Sequence, residues 1–414
     1  MTTPRSHRPA PRRGLAVRIA AVAGAVMLAF PGSSWAVPAW VSNLPYWQWY
    51  QIPNTALQSV QPNPPLPLSG SGNECKITCW NGATLKRQGS VYLIGAAGGH
   101  NGYFGNEVDA LTLNTDTPHW VQLVASSPPS TWISNVEYYL DYRPAAVHTY
   151  WGTQFIDARN RMLIMPSTNY ISPLVPDAPA GWPYVGDPGY LISFNMNTNQ
   201  WVDARDPEIA NVRYPGGGSY WAAMTVKHPV TEDVYYNRAN GGWYRWTEAT
   251  NTWVKLSNNT QNGNYRGAAI DPVRNRMLLV GSYEGTYGPE VRDLNGNLLS
   301  VTFSGLGTSA LTVGNYPGVV YDEANDTYLV FHNTGSAIDM LRVNASTFAV
   351  DRPALTGPLP APRENGIQNA VQYVPELGGV VIANDYFGNV FFMRTAPAAP
   401  DTTPPASPSG LHVK

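Results

Sequence analysis

The sequence has 414 residues, of which 43% are hydrophobic and 13% are charged, and its formal net charge is −2. A nucleic-acid-binding protein needs a surplus of positive charge that this chain lacks, and the hydrophobic content is high enough to fill a core, which argues against disorder. The 38 glycines and 37 prolines argue against a helical bundle, because both residues interrupt helices. The composition therefore predicts an ordered, turn-rich, all-β protein.

The N-terminal segment is typical of a secretory signal peptide. Five arginines precede an apolar run from Ile19 to Phe30, and the small residues Ser34 and Ala36 frame a cleavage site. The run is shorter than the roughly 20 residues that a membrane-spanning helix needs, and no other segment is apolar enough to span a bilayer. We therefore assign residues 1–36 to a signal peptide and expect a secreted or periplasmic protein. Cleavage would remove five arginines and no acidic residue, which changes the formal charge from −2 to −7.

The chain contains two cysteines, Cys75 and Cys79, which lie four positions apart. In an oxidising compartment this spacing predicts a small loop closed by a disulfide. A metal site would need further His or Cys ligands nearby, and none lies within twenty residues. We expect no cofactor, with a structural divalent metal as the open alternative.

A repeat runs through the rest of the chain. Five copies begin with an aromatic residue, a variable residue and a small residue, the sixth copy is degenerate, and an apolar β-like run follows each one. The six triplets are Trp80-Asn81-Gly82, Tyr150-Trp151-Gly152, Tyr220-Trp221-Ala222, Tyr265-Arg266-Gly267, Tyr316-Pro317-Gly318 and Ile367-Gln368-Asn369. Each is followed by a turn and further strands, and several units end in Trp. Each unit is thus predicted to be a four-stranded meander.

Meanders of this length are the blades of a β-propeller, because one meander cannot bury both of its faces and must stack on neighbours around an axis. The count predicts six blades, with seven as the alternative if the long segments 127–147 or 168–189 hide another unit. The last unit lacks its fourth strand. Residues 49–52 resemble the strands that begin at Trp120 and Trp253, so an N-terminal strand is predicted to close the ring.

Gly98-Gly99 after the second strand of the first unit, with Trp120 in its fourth, resembles the kelch repeat. The resemblance covers residues 44–398 and implies a kelch-like, galactose-oxidase-type propeller over residues 37–398; the position of the usual kelch tyrosine is Asp109 here. We do not expect copper galactose oxidase chemistry, because that site needs a crosslinked cysteine and both cysteines lie in the small loop. Residues 399–414 are a Pro-rich linker or resemble the start of a truncated fibronectin type III module.

The candidate site lies on the face where the loops before the first strands and between the second and third strands emerge. Because neighbouring residues of a strand point in opposite directions, we expect the variable second positions of the triplets to face the channel. Aromatic faces beside Asn, Gln and Arg suit the apolar faces and hydroxyls of sugar rings. The predicted ligand-binding residues are Asn81, His100, Arg143, Trp151, Trp221, Trp243, Arg363 and Gln368.

Two functions are consistent with these residues. The first is a binding propeller for a polysaccharide or cell-surface glycan, with uronate-containing polymers among the candidates, acting as a monomer or as part of a longer multimodular protein. The second is a polysaccharide lyase that uses β-elimination. In that case His148 is the predicted base, Tyr150 or Tyr220 is the acid, and Arg213 and Arg266 neutralise the carboxylate. The competing interpretation of the arginines is that they hold loops in place through Glu107, Asp187, Glu284 or Glu364.

Overall fold

The computed structural model describes residues 37–61, 72–99, 103–166, 174–186, 188–216, 221–238, 241–258, 264–282, 287–314 and 316–397. These residues form six small sheets arranged as the blades of a β-propeller, which confirms the predicted all-β fold. The segments assigned to a signal peptide and to a C-terminal linker or module lie outside the described residues.

In the first three blades the strands run in chain order from the axis outward. Blade 1 consists of β2 (Thr84–Lys86), β3 (Val91–Gly95), β4 (Val108–Thr112) and β5 (Trp120–Val124). Blade 2 consists of β6 (Thr153–Ile156), β7 (Arg161–Ile164), β8 (Ile192–Asn195) and β9 (Gln200–Trp201). Blade 3 consists of β10 (Met224–Lys227), β11 (Val234–Asn237), β12 (Trp243–Thr247) and β13 (Thr252–Ser257).

The other three blades complete the ring. Blade 4 consists of β14 (Gly267–Asp271), β15 (Arg276–Val280), β16 (Glu290–Asp293) and β17 (Leu298–Leu299). Blade 5 consists of β19 (Gly318–Asp322), β20 (Thr327–Asn333), β21 (Ile338–Asn344) and β22 (Ala349–Asp351), with an extra outer strand, β18 (Ser304–Gly305), that pairs in parallel with β22. Blade 6 consists of β23 (Val371–Val374), β24 (Gly379–Ile382), β25 (Phe391–Arg394) and β1 (Trp49–Gln51).

The N-terminal strand closes the ring. β1 is the outermost strand of blade 6 and pairs antiparallel with β25, with Tyr50 opposite Phe392. A strand from one end of the chain thus covers the edge that the other end would leave open. The seven-blade alternative is wrong for the described residues, because the described parts of segments 127–147 and 168–189 add no sheet and instead form isolated bridges such as Val136–Val185.

Aspartates fix the tight turns after the first strands in blades 4 and 5. Asp271 accepts hydrogen bonds from the backbone of Val273 and Arg274, and Asp322 accepts them from the backbone of Ala324 and Asn325. Such turns in which a side chain caps its own backbone are a known preference of Asp. This explains why an aspartate ends the first strand of both repeats.

The hydrophobic core lies between the blades. Two of the tryptophans in the outermost strands hold neighbouring segments together: Trp120 Nε1 donates to the carbonyl of Thr55 at 2.8 Å, and Trp201 Nε1 donates to the carbonyl of Asn106 at 2.7 Å. Helices are short: α1 (Ala39–Ser42), α2 (Cys75–Thr78), α3 (Pro207–Ala210), α4 (Gly307–Ala310) and the 3-10 turns Leu57–Val60, Pro129–Thr131, Asp157–Arg159, Gln368–Ala370 and Pro375–Leu377. Across the described segments, we find no helix with the length and apolar character to cross a bilayer.

Candidate functional site

The six innermost strands, β2, β6, β10, β14, β19 and β23, surround an axial channel. Its lining includes residues from all six of these strands. Because the blades are related by rotation about the axis, residues before the innermost strands lie at one end of the channel and residues after them lie at the other end. The two ends differ in chemistry.

Each blade carries a residue with left-handed backbone shortly before its innermost strand. These residues are Trp80, Tyr150, Ala222, Tyr265, Tyr316 and Gln368, with φ between 44° and 63°. Their backbones are linked in pairs: the N–H of Tyr150 donates to Trp80, that of Tyr265 to Ala222 and that of Gln368 to Tyr316, at 2.9–3.1 Å. A positive φ is costly for residues other than glycine and is often found at functional sites. The repeated triplet therefore encodes a sharp bend shortly before the innermost strand of each blade.

Aromatic rings close this end of the channel. The ring of Tyr316 lies 6.3 Å from that of Tyr150 and 6.1 Å from that of Trp151, nearly parallel to both. Trp151 Nε1 also donates to the carbonyl of Pro317 at 3.2 Å. Blades 2 and 5 are opposite each other in a six-bladed ring, so these contacts cross the axis. We call the set Trp80, Tyr150, Trp151, Trp221, Tyr265 and Tyr316 the aromatic end.

The aromatic end presents ring surface to solvent. Trp221 is 42% exposed, while Trp80, Tyr265 and Tyr316 are partly buried and pack on the inner residues Tyr150 and Trp151. Phe387, in the loop between β24 and β25, is 58% exposed, and this loop emerges at the same end of its blade. Sequence reasoning had not selected Phe387. The sequence feature that could have identified it is an aromatic residue in a short polar loop between the second and third strands.

The predicted acid–base residues come together beneath these rings. His148 Nδ1 lies 3.4 Å from the Tyr150 hydroxyl, and the His148 ring is 4.9 Å from that of Trp80. Both His148 and Tyr150 are almost fully buried. The alternative acid, Tyr220, and the predicted ligand residue His100 lie outside the described residues.

Two of the predicted arginines lie in loops of the same face. Arg143 donates to the carboxylate of Asp141, the hydroxyl of Ser127 and the carbonyl of Ala125. Arg213 is exposed and donates to the carbonyl of Pro188, and its guanidinium lies 4.9 Å from the ring of Tyr190. Both guanidinium groups thus donate hydrogen bonds to backbone carbonyls of neighbouring loops.

Arg266 is buried within blade 4. It forms an ion pair with Glu290 at 3.1 Å and donates to the carbonyl of Gly288 at 2.8 Å. Burial lowers the pKa of its guanidinium, although Glu290 opposes this change. Its charge is therefore largely satisfied by the protein itself.

Arg363 forms a buried polar node with two other predicted ligand residues. It donates to the side-chain oxygen of Gln368 at 2.8 Å and to the backbone carbonyls of Ile77 and Asn81. Burial lowers its pKa to about 10. Asn81 in turn donates to the carbonyl of Cys75 at 2.8 Å. This node joins blade 6 to the disulfide loop, and all three side chains are buried.

The predicted disulfide between Cys75 and Cys79 is confirmed. It closes the single turn of α2. Trp243, another predicted ligand residue, is 1% exposed and belongs to the core between blades 3 and 4, with the Arg292 guanidinium 5.5 Å from its ring.

A buried ionic cluster in blade 1 was not anticipated from the sequence. Lys76, on α2, contacts Asp109 and lies 3.0 Å from Glu107, and all three side chains are at most 1% exposed. Glu107 and Asp109 are two positions apart at the start of β4, so they point to the same side of the sheet. Two acidic residues at this spacing in an otherwise apolar strand are the sequence feature that could have predicted the cluster.

The opposite end of the channel is ionic. Arg87 donates to both carboxylate oxygens of Glu323 at 2.6 and 2.7 Å and to the carbonyl of Pro229 at 3.2 Å, so it connects blades 1, 5 and 3. Arg274 joins Asp271 to Asp326 across blades 4 and 5. We call the charged set Arg87, Asp157, Lys227, Asp271, Arg274, Glu323 and Asp326 the ionic end.

Within the described part of the chain, no group of three or more His, Cys, Asp and Glu residues is arranged to hold a metal ion. No known protein family matches the sequence, and no curated protein is significantly similar to it.

Proposed function

We propose that the protein is a secreted, kelch-like propeller that binds poly- or oligosaccharide at the aromatic end. The observation that carries this proposal is the group of half-buried rings that pack around Tyr150 and Trp151, with the exposed Trp221 at the corresponding triplet position of blade 3. A sugar ring presents C–H groups on its face, and these pack on the face of an aromatic ring. The intra-chain disulfide fits an extracellular compartment.

The inner rings give this surface a rigid base. Tyr150 and Trp151 are fixed by stacking on Tyr316 and by the bond from Trp151 to Pro317, so little side-chain freedom is lost when a ligand binds. A flat polymer segment that stacks on Trp221 would gain contact area.

The lyase alternative draws on the contact between His148 and Tyr150. The geometry favours it less than binding. His148 is 1% exposed, and the guanidinium groups of Arg213 and Arg266 already have protein partners. A uronate carboxylate would have to displace those partners before its α-proton could be removed.

Binding is tested by passing the protein over immobilised neutral and uronate-containing polysaccharides. We expect retention of the wild type and loss of at least about tenfold in affinity for Trp221→Ala, which corresponds to about 1.4 kcal/mol. The matched control is Tyr46→Ala, because Tyr46 is 47% exposed but packs near Arg394, at the far end of β25. Equal retention of the two variants, or no retention of the wild type, contradicts the proposal.

The lyase alternative is tested on the same polysaccharides by following the ultraviolet absorbance of unsaturated products. Binding alone predicts flat traces. A rising trace that His148→Ala abolishes would instead establish the lyase.

A further inference from the structure

Lys76, Glu107 and Asp109 form a compact reactive arrangement inside blade 1. Lys76 Nζ is in direct contact with Asp109 Oδ2 and lies 3.0 Å from Glu107 Oε1. α2, closed by the disulfide, brings the lysine to this position, while the start of β4 supplies both acids. The contact joins two segments that are 33 residues apart in the chain.

The surroundings exclude water. The three side chains are at most 1% exposed, and the ring of Tyr103, itself fully buried, lies 6.0 Å from Lys76 Nζ. The Tyr103 hydroxyl donates to Glu107, and Gln61 Nε2 donates to Asp109 Oδ2 at 3.0 Å. Among the described residues, Glu107 Oε2 and Asp109 Oδ1 have no hydrogen-bond partner. Two acids facing one buried lysine are expensive as a purely ionic cluster, because burial removes the hydration of every charge.

The geometry points to a covalent amide bond between Lys76 Nζ and Asp109 Cγ, formed by the folded protein itself with Glu107 as the proton-transfer group. The arrangement holds an amine against a carboxyl group, with a second carboxylate within hydrogen-bonding distance of the amine. Holding reactants in contact can replace a large part of the barrier to a bimolecular reaction.

The reaction balances without any oxidant, reductant or co-substrate. Proton transfer within the contact converts the ammonium and carboxylate into an amine and a carboxylic acid. The Nζ lone pair attacks Cγ of Asp109, Glu107 accepts a proton from the nitrogen and returns it to the departing hydroxyl oxygen, and the Cγ–O bond breaks. One water molecule leaves, carrying the oxygen of Asp109. The product is a neutral secondary amide, and Glu107 ends in the protonation state in which it began.

Burial favours the protonated form of Asp109 that the reaction needs, whereas the carboxylates around Lys76 favour its charged form. Burial raises the pKa of Asp109, with a further rise from Glu107, while Lys76 opposes the change. Burial also disfavours the charged form of Lys76, although the two carboxylates outweigh this and leave the lysine pKa raised. The neutral pair differs from the ion pair only by one proton moved along the contact.

Peptide mapping of the full-length protein tests the bond directly. After reduction and alkylation of the cysteines, trypsin cannot cleave at a modified Lys76. We expect the peptide that ends at Lys86 to be joined to peptide 88–159, since trypsin does not cleave the bond between Arg143 and Pro144, with a mass one water molecule below their sum. Fragmentation should place the link at Lys76 and Asp109. Recovery of free peptide 77–86 in full yield, with cleavage after Lys76, overturns the proposal.

Two variants distinguish formation of a covalent amide from an ion pair that does not react. Asp109→Ala should abolish the linked peptide. Glu107→Gln should slow its formation roughly 10²-fold or more, because it removes the proton-transfer group. Glu232→Gln is the matched control, since Glu232 is a buried carboxylate of blade 3 that accepts backbone hydrogen bonds from blade 2. An unchanged yield of linked peptide in Glu107→Gln contradicts the role of Glu107, and the wild-type map remains decisive if a variant does not fold.

Discussion

The two ends of the axial channel are built on the same six strands but held together by different forces. At the aromatic end, Trp151 and Tyr316 stack on each other across the axis. At the ionic end, Arg87 of blade 1 forms an ion pair with Glu323 of blade 5, and its side chain remains 28% exposed. The residues after each innermost strand must form a tight turn, and several of them are therefore polar. The residues before it also form a bend, but the residue types at that bend differ from blade to blade. This difference explains why the more variable end is the better candidate for ligand binding.

The largest effect is expected from Trp151→Ala. The ring is 2% exposed and crosses the axis, so its removal leaves a cavity among Tyr150, Tyr316 and Pro317. We expect a loss of about 3–5 kcal/mol in the free energy of unfolding, measured by denaturant titration. Trp221→Ala is the matched control, because Trp221 has the same position in the next triplet but is exposed. The free energy of unfolding of this variant should fall by no more than about 1 kcal/mol. Equal losses in the two variants would contradict the packing described for this end.

This pair of tryptophans also marks the limit of prediction from the sequence. Tyr150-Trp151-Gly152 and Tyr220-Trp221-Ala222 are nearly identical, and both second positions were expected to face the channel. In blade 2 the left-handed residue is the first of the triplet, Tyr150, whereas in blade 3 it is the third, Ala222. Trp151 thus follows the bend and Trp221 precedes it. The left-handed residue thus lies two positions later in the triplet of blade 3 than in that of blade 2, and the repeat pattern of the sequence does not reveal this difference.

The ring itself was predictable because it depends on periodic features. The spacing of the triplets determined the number of blades, and the likeness of Trp49 to Trp120 and Trp253 located the closing strand. The roles of single polar residues were not predictable in the same way. Lys76 and Asp109 are distant in sequence, and Asp109 was visible only as a departure from the kelch repeat. Which polar groups meet depends on the packing of loops that differ from blade to blade.

The ionic end should respond to salt, unlike the aromatic end. Arg87→Gln removes the bidentate contact of the guanidinium with both carboxylate oxygens of Glu323. We expect the free energy of unfolding to fall by about 1 kcal/mol at low ionic strength, because the pair is partly exposed. At about 1 M salt, where the screening length is about 3 Å, the difference from the wild type should shrink markedly. Denaturant titrations of both proteins at the two salt concentrations measure this. A difference that does not change with salt would show that Arg87 acts through packing.

A smaller effect concerns Asp326, also at the ionic end. The hydrogen bonds from Arg274 hold the pKa of this carboxyl below its ordinary value of 3.8. The folded pKa is therefore below the unfolded one, so the stabilisation is present above pH 3.8 and is lost as the pH falls through the folded value. Asp326→Asn should lower the free energy of unfolding by about 0.5 kcal/mol at neutral pH, since the pair is exposed. The difference should disappear in acid, and a difference that persists there would assign the effect to something other than charge.

The aromatic end as the ligand surface is tested most directly by a crystal structure with the oligosaccharide that binds most tightly on the polysaccharide panel. We expect a sugar ring stacked on the exposed face of Trp221, with further contacts to Tyr316, Tyr265 or Phe387. A sugar bound at the ionic end, against Arg87 and Glu323, or on the outer edge of a blade would contradict this assignment.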